Sequence, residues 1–532
     1  MTTTADAIIA YHQRTKHQLN AYAKGPEALD WDDQPNPFRR FSGCEIFTLP
    51  TPGTELPVLF ADLDHPEQQA AYDLNRANLG LLLELSFGLS AWKQYGPDRW
   101  ALRCNPSSGN LHPSEAYVLC SDAQLLPPGV YHYVSHDHHL EQRAQFKTEQ
   151  LPAAVYIAIS SIHWREAWKY GERAFRYCQH DVGHALAALS YAAACLGWRV
   201  SLCASVSDTE LAMALGLTRT QDFVDLEHEN ADVLLRLHTT PTATASNTAA
   251  FLAQIQHSAN WFGTAAKLSG RHFYRWPIID AVAQQAEKPD TAEPSWQAAQ
   301  RTLPPPRHNL AASQLIRQRR SAQHFNAQAA DLPLSDFHRL LAALLPNQKP
   351  PFSSWHWEPA VHIVLFVHRV AGLVPGLYCL PRTDAALAAL KQAFSASFAW
   401  QAIDAPVPLY LLAPGNVRST AKTFSCHQAI ASDSFFSLGM LSEFADPIAA
   451  APWTYRRLFW ECGLLGQSLY LEAEAAGVRG TGIGCFFDDL VHGLLGLQDN
   501  RWQSLYHFTV GAALEDTRIQ TLAAYAHLDV GG

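Results

Sequence analysis

Two stretches of this chain repeat each other at a fixed spacing. Arg176, Gly183, Ala193, Gly197 and the run Leu215, Gly216, Leu217 recur without a gap as Arg456, Gly463, Ala473, Gly477 and Leu495, Gly496, Leu497, every pair offset by 280 residues. Upstream, Gly129, Val130, Tyr131 is echoed by Gly376, Leu377, Tyr378 in the same order relative to the helical segment. A long internal repeat means that one structural unit is built twice, so the two halves are expected to share a fold. At 532 residues the chain is also too long for a single hydrophobic core. Between the copies, residues 287–307 hold five prolines and end in Leu303, Pro304, Pro305, Pro306, Arg307, which reads as a stiff extended spacer. The expected division is an irregular N-terminal arm (1–60), a first domain (61–240), a linker (241–310) and a second domain (311–532).

Local patterns make each half α+β, a mixed sheet flanked by helices. A short helical start (Ala5 to Tyr22) gives way to Pro/Gly/Asp-rich chain around Gly25 to Gly53. Asn75 to Trp92 has helical leucine spacing, and Tyr117 to Cys120, Val130 to Tyr133 and Ala154 to Ile159 are short β-prone runs. A long helix pattern from about Arg173 to Leu196 ends at Gly197, as a C′ glycine ends helices, and leads into the β-prone Trp198 to Leu202. After Leu237 the composition shifts to Thr, Pro, Ala and Ser, followed by the amphipathic-looking Ala249 to Gln256.

Several function classes are disfavoured. A net charge of -10 without a Lys/Arg run leaves no footprint for nucleic acid or an acidic membrane surface. The most apolar stretches fall short of the roughly 20 residues of a membrane span. Ten scattered cysteines, with no C-x-x-C and no metal-type spacing, read as buried free thiols in a reducing cytoplasm, and no metal site is expected. The N-terminus has the pattern of neither a signal nor a transit peptide. A small-molecule ligand is the expectation.

Positions shared by the copies are expected to serve the fold, and features present in only one are either functional or drift. The first half has Pro106, Ser107, Ser108, Gly109, Asn110 before Leu111, His112, Pro113, a polar loop bracketed by prolines. The corresponding place in the second half, about Pro351 to Val361, keeps Ser353 and Ser354 but continues Trp355, His356, Trp357. Conversely, the second half has Gly480, Thr481, Gly482, Ile483, Gly484 where the first has Val200 to Ala204, so only the second can bring bare backbone N–H groups to a planar ligand. The second half also opens with Arg319, Arg320, Ser321, a plausible phosphate clamp or, equally, a solvated charge cluster at a helix end.

These motifs resemble the flavin-dependent nitroreductase superfamily, specifically the tandem SagB/ThcOx-type dehydrogenases, in which one chain carries two nitroreductase-like domains. The resemblance rests on Asn105 to Pro113, Lys169 to Arg173 with Arg176, Tyr177, Gly183 and His184, Arg319 to Ser321, and Val510, Gly511 with Asp516, Thr517, Arg518. It implies an intramolecular pseudo-dimer with FMN at the junction. Arg319, Ser321 and Arg518 would hold the phosphate, Gly482, Ile483 and Gly484 would approach flavin N5, and Pro106, Ser107, Ser108 and Asn110 would arrive from the other half. The mirror-related site is expected to be degenerate, leaving one FMN per chain.

For chemistry, Lys169 and Tyr170 are the candidates, since the resemblance implicates a Lys-Tyr pair in proton removal beside an azoline ring. A lysine base needs burial or nearby cations such as Arg173 and Arg176 to lower its pKa. The alternative is that Lys169 and Glu172 are surface charges. Arg176, repeated as Arg456, is expected to serve the fold, and His184 to be a hydrogen-bonded interior histidine. Cys426, His427 and Gln428 are expected to cover the flavin rather than form a nucleophilic dyad. The expected function is an FMN-dependent dehydrogenase converting a small or peptide-derived azoline to an azole. The alternatives are an NAD(P)H-dependent nitro or quinone reductase and a non-catalytic flavin-binding partner in a biosynthetic complex. Possible partner proteins follow from the resemblance, as does a monomeric pseudo-dimer or a homodimer. About 60 irregular residues before the first half are too few for a typical leader-binding domain.

Overall fold

The computed structural model describes residues 3–50, 52–148, 151–240 and 247–528. Two large sheets dominate. From its inner edge, the first runs Arg199–Leu202, Asn230–His238, Val155–Ser161, Ser114–Cys120, Gly129–Val134 and His139–Gln145. The second runs Arg479–Ile483, Trp502–Gly511, Phe436–Glu443, Val361–Val367, Gly376–Leu380 and Tyr410–Pro414. The strand orders correspond, and the repeated Gly129 and Gly376 open equivalent strands.

The expected mixed sheets are instead antiparallel at each pairing between these strands. In each half the long helix carries the chain across the sheet, but the strand after it lands one place away from the strand before it. The gap is filled by Asn230–His238 or Trp502–Gly511, running antiparallel to both neighbours.

Each half is centred on one helix of 22 residues, Ala174–Cys195 and Thr454–Ala475. Both are buried nearly all round, with charged residues such as Arg176, Asp181, Arg456 and Glu461 among the buried ones. They cross at the repeated glycines. A Cβ on Gly183 would stand 2.0 Å from the Trp460 carbonyl oxygen, and one on Gly463 would stand 2.1 Å from that of His180. Beside the crossing, Phe175 and Tyr455, also 280 apart, stack with centroids 6.3 Å apart and planes 3° from parallel. Gly197 and Gly477 follow the helices at φ +66° and +71°, the left-handed geometry expected of C′ glycines.

Ion pairs across this junction are reciprocal. Arg176 binds Asp488 at 2.7 Å, and Arg456 binds Asp208, the residue 280 positions before Asp488. The surroundings are charge-inverted: Asp488 lies between Arg173 and Arg176, whereas Arg456 lies between Asp208 and Asp232.

The flanking segments interlock the halves. The N-terminal helix is Thr4–Arg14, shorter than the expected Ala5 to Tyr22. It ends where Thr15 turns its hydroxyl back onto the Tyr11 carbonyl at 2.9 Å. Near the C-terminus, Gln520–Leu522 pairs with Leu89–Tyr95 of the first half. The expected linker is more than a spacer. It contains the helices Thr248–Ser258 and Pro277–Gln285, and its strand Asn260–Trp261 edges the first sheet. Residues 241–246, within the Thr/Pro/Ala/Ser-rich stretch, lie outside the described residues. Among the described residues, no helix is long and apolar enough to cross a membrane.

Candidate functional site

A cavity of about 420 Å³ opens between the halves, within the range usual for small-molecule sites. Its wall brings together Pro106, Ser107, Ser108 and Asn110 with Arg319, Ser321, Gly482, Ile483 and Gly484, stretches more than 200 residues apart. Tyr170 also lines it; Lys169 and Arg518 do not.

Arg319 gives one end its character. The residue is 3% exposed, and its guanidinium donates to the carbonyls of Cys104 and Arg103 at 3.2 Å each, leaving Nη1 with no hydrogen-bond partner. Arg320 beside it donates to Ser90 and to the carbonyls of Arg317 and Arg319, all uncharged acceptors. Burial, and then the charge of Arg319, pull the Arg320 pKa down to about 10. Two arginines whose guanidinium groups meet only uncharged acceptors are suited by charge to an anion such as a phosphate. Ser321 shares a 2.8 Å hydrogen bond with the Tyr470 hydroxyl, which also accepts from the Gly482 N–H at 2.9 Å. Arg518 is not in the wall, although Asp516 and Ile519 on either side of it are. Its side chain is 71% exposed and forks onto Asp516, two residues back.

The polar loop is rigid for local reasons. Gly109, Asn110 and His112 are all left-handed, with φ +59°, +60° and +51°. The Ser107 hydroxyl accepts from the His112 N–H at 2.8 Å, and the Asn110 amide donates to the Ala101 carbonyl at 2.8 Å. Gly109 must be glycine here, because a Cβ would stand 2.4 Å from the Tyr170 hydroxyl.

The glycines of the other wall also have a packing reason. A Cβ on Gly482 would stand 1.9 Å from the Tyr506 hydroxyl, and one on Gly484 2.3 Å from the Tyr177 ring. Close aromatic packing therefore requires both. The Gly484 carbonyl is fixed by Arg173 at 3.1 Å and by the Tyr177 hydroxyl at 3.2 Å.

Beneath the polar loop lie two carboxylates that the motifs did not suggest. Asp181, in the cavity wall, accepts from the Ser108 N–H at 3.2 Å and from its hydroxyl at 3.3 Å. Burial pushes its pKa up to about 7, against the pull of Ser107 and Ser108. Glu166 is fully buried; burial and then the charge of Asp181 raise it well above the ordinary range, with Lys169 opposing. The equivalent of Asp181 in the second half, Glu461, is bound by Arg382. Among the described residues no cation is ion-paired with Asp181. From about pH 4 to 7 the folded chain therefore keeps a proton that the unfolded chain has lost, and stability falls as pH rises through that window. Urea unfolding of Asp181→Asn relative to the parent should accordingly show a gain on the order of 3 kcal/mol at pH 8 over pH 4.

Lys169 sits behind Tyr170, its ammonium 5.5 Å from that ring and 5.7 Å from the Trp31 ring, and its charge bears on Glu166. Arg173 and Arg176, the cations expected to act on it, are both bound to Asp488. His184 is buried and bonded to the Tyr506 hydroxyl at 3.1 Å, as an interior histidine, yet it also lines the cavity. Burial, then Arg319, lowers its pKa to about 3.

The mirror-related place is filled by the chain itself. The backbone N–H groups of Ala204 and Ser205, equivalent to Gly484 and Cys485, donate to the Glu293 carboxylate at 3.2 and 2.9 Å. The loop corresponding to Pro106–Asn110 is packed shut, with Trp355 2% and Trp357 8% exposed.

Comparison with known proteins agrees with this architecture. The model of the Nitroreductase family matches residues 316–512. Among solved structures, the chain is similar to a protein of Anabaena variabilis assigned as a nitroreductase, with 22% identity and a TM-score of 0.68, covering 96% of this chain and 99% of that one. A protein of Ralstonia eutropha with the same assignment matches over 42% of this chain and 97% of its own, at 16% identity and a TM-score of 0.28. The E. coli microcin synthetase McbBCD complex with truncated pro-MccB17 matches over 37% of this chain and 70% of that one, at 16% identity and a TM-score of 0.28. No curated protein matches the chain. Residues 316–512 thus match the Nitroreductase family model, within a chain whose fold is similar to that of the Anabaena variabilis protein over nearly its whole length.

Proposed function

We propose that the chain is an FMN-dependent oxidoreductase built as an intramolecular pseudo-dimer of two nitroreductase-like domains, 61–240 and 311–532, and that it dehydrogenates a small or peptide-derived azoline to an azole. The observation that carries the flavin reading is the pair Arg319 and Arg320, bound only to uncharged acceptors in the wall of a cavity formed by both halves. Arg319 and Ser321 would hold the phosphate, and Pro106 to Asn110 with Gly482 to Gly484 would bracket the ring. When bound, FMN supplies a two-electron hydride acceptor at N5.

The chain's own part is to place the substrate and take a proton. Tyr170 presents its hydroxyl to the cavity, and burial raises its pKa well above 10, so it acts as a neutral hydrogen-bond donor that orients the ring. Lys169, close behind, is the base of this reading, with Asp181 the second proton-accepting group at the wall. That Lys169 stands outside the wall favours the second reading, an NAD(P)H-dependent reductase in which it is incidental.

Anaerobic mixing of FMN-loaded protein with an azoline or with NAD(P)H tests this. The azoline should bleach the flavin band, and Lys169→Ala and Tyr170→Phe should each slow bleaching by about 100-fold with FMN retained. Bleaching by NAD(P)H alone selects the reductase, and unchanged azoline turnover in Lys169→Ala removes it as base. The filled mirror place predicts one FMN per chain; a measured ratio of two would sink the asymmetric site.

A further inference from the structure

Cys426 and Cys485 are separated by 58 residues of intervening chain but clamped together. The Phe487 N–H donates to the Phe424 carbonyl at 2.8 Å, and the Gln428 side chain donates to the Cys485 carbonyl at 3.1 Å. Cys426 and His427 turn between these clamps with φ +52° and +61°. The two thiols lie within hydrogen-bonding reach of each other, both half-buried, and Cys485 lines the cavity.

The surroundings favour a thiolate at Cys485. His17 of the N-terminal arm acts on it, and the His17 tautomer is set: Nδ1 accepts from the Ala23 N–H at 3.0 Å, so the proton resides on Nε2. Arg173 adds positive charge, with Asp488 opposing on the same side. The Cys426 hydrogen bond and then His17 pull the Cys485 thiol below its ordinary value despite burial, and the shared proton stays on Cys426, which is raised. Elsewhere burial does the reverse: the thiols of Cys104, Cys120, Cys195 and Cys203 are pushed up to about 12. The mirror copy has Ser205 at the position of Cys485, so the fold does not require a thiol there.

We propose that Cys485 and Cys426 form a thiol–disulfide exchange centre for a low-molecular-weight disulfide entering the cavity, with Cys485 as the attacking and Cys426 as the resolving sulfur. This stands independently of the FMN proposed above. The Cys485 thiolate attacks one sulfur of RSSR; the mixed disulfide forms as the R–S–S–R bond breaks and RS⁻ leaves. Cys426 then gives its proton to solvent and attacks the Cys485 sulfur, forming the Cys426–Cys485 bond and releasing the second RS⁻. Two protein thiols lose two electrons, and the disulfide gains them. A dithiol reverses the sequence.

The test uses the reduced, full-length protein exposed to glutathione disulfide, alkylated and mapped by mass spectrometry. The expected product is a Cys426–Cys485 linkage. Cys426→Ser should trap glutathione on Cys485, whereas Cys485→Ser should leave Cys426 unmodified. In the unmutated protein at pH 6, iodoacetamide should modify Cys485 about 10- to 100-fold faster than the equally half-buried Cys203. Absence of the linkage in the unmutated protein, or alkylation of Cys485 no faster than of Cys203, overturns the proposal without recourse to any variant.

Discussion

Arg319→Ala is expected to weaken FMN binding by about 10- to 150-fold, the equivalent of roughly 1.5–3 kcal/mol for a charge-assisted hydrogen bond. The measurement is quenching of flavin fluorescence on titration. Riboflavin provides the control that isolates the phosphate, because it lacks only that group. If Arg319 holds the phosphate, the unmutated protein should prefer FMN over riboflavin, and Arg319→Ala should lose most of that preference while binding riboflavin about as before. Arg518→Ala should change FMN affinity by no more than about two-fold, since that side chain is exposed and tied to Asp516. Equal losses for FMN and riboflavin in Arg319→Ala would show a collapsed wall, not a lost phosphate contact.

Asp488→Ala is expected to destabilise the fold by about 3–5 kcal/mol, because it leaves the buried cations Arg173 and Arg176 uncompensated. Urea unfolding reads it directly, with Asp488→Asn expected to cost less because the amide oxygen still accepts a hydrogen bond. The pH dependence has a definite sign. Arg173 and then Arg176 hold the Asp488 carboxyl below its ordinary value, so its contribution is present above about pH 4, where the unfolded carboxyl is ionised. It is lost as pH falls through the lower folded value. Asp488→Asn should therefore flatten the acid limb of the stability profile. A loss for Asp488→Ala under about 1 kcal/mol would mean that the junction does not depend on this pair.

Much of the architecture could be read from the repeat, because what recurs is what backbone geometry demands. Gly183 and Gly463 admit the helix crossing, and Gly197 and Gly477 cap the helices in left-handed backbone; no other residue type serves easily. The reciprocal acids were equally present as Asp208 and Asp488, but an acid near a helix start reads as a local dipole partner until tertiary packing brings it to an arginine of the other half. In the cavity, Pro106 to Asn110 and Arg319 to Ser321 were legible as loops with unusual polar content. Asp181 and Glu166 were not, since a carboxylate within a helical run carries no mark of burial. The reason for Gly482 and Gly484 was hidden for a related cause: the rings of Tyr506 and Tyr177 that exclude a Cβ come from 24 residues further on and from the other half. Arg518 was legible only as a motif, and motif spacing says nothing of the carboxylate two residues back.

The carboxylates Asp181 and Glu461 carry a consequence for how such a protein can change. In an assembly of two identical chains, a residue altered at one junction is altered at the other, so a buried acid and the cation that quiets it must be kept or discarded twice. Here Glu461 has Arg382 and Asp181 has only serine donors. Because both flanks lie in one chain, either can be substituted without altering the other, and here one carries an ion pair while the other holds a carboxylate that keeps its proton to about pH 7.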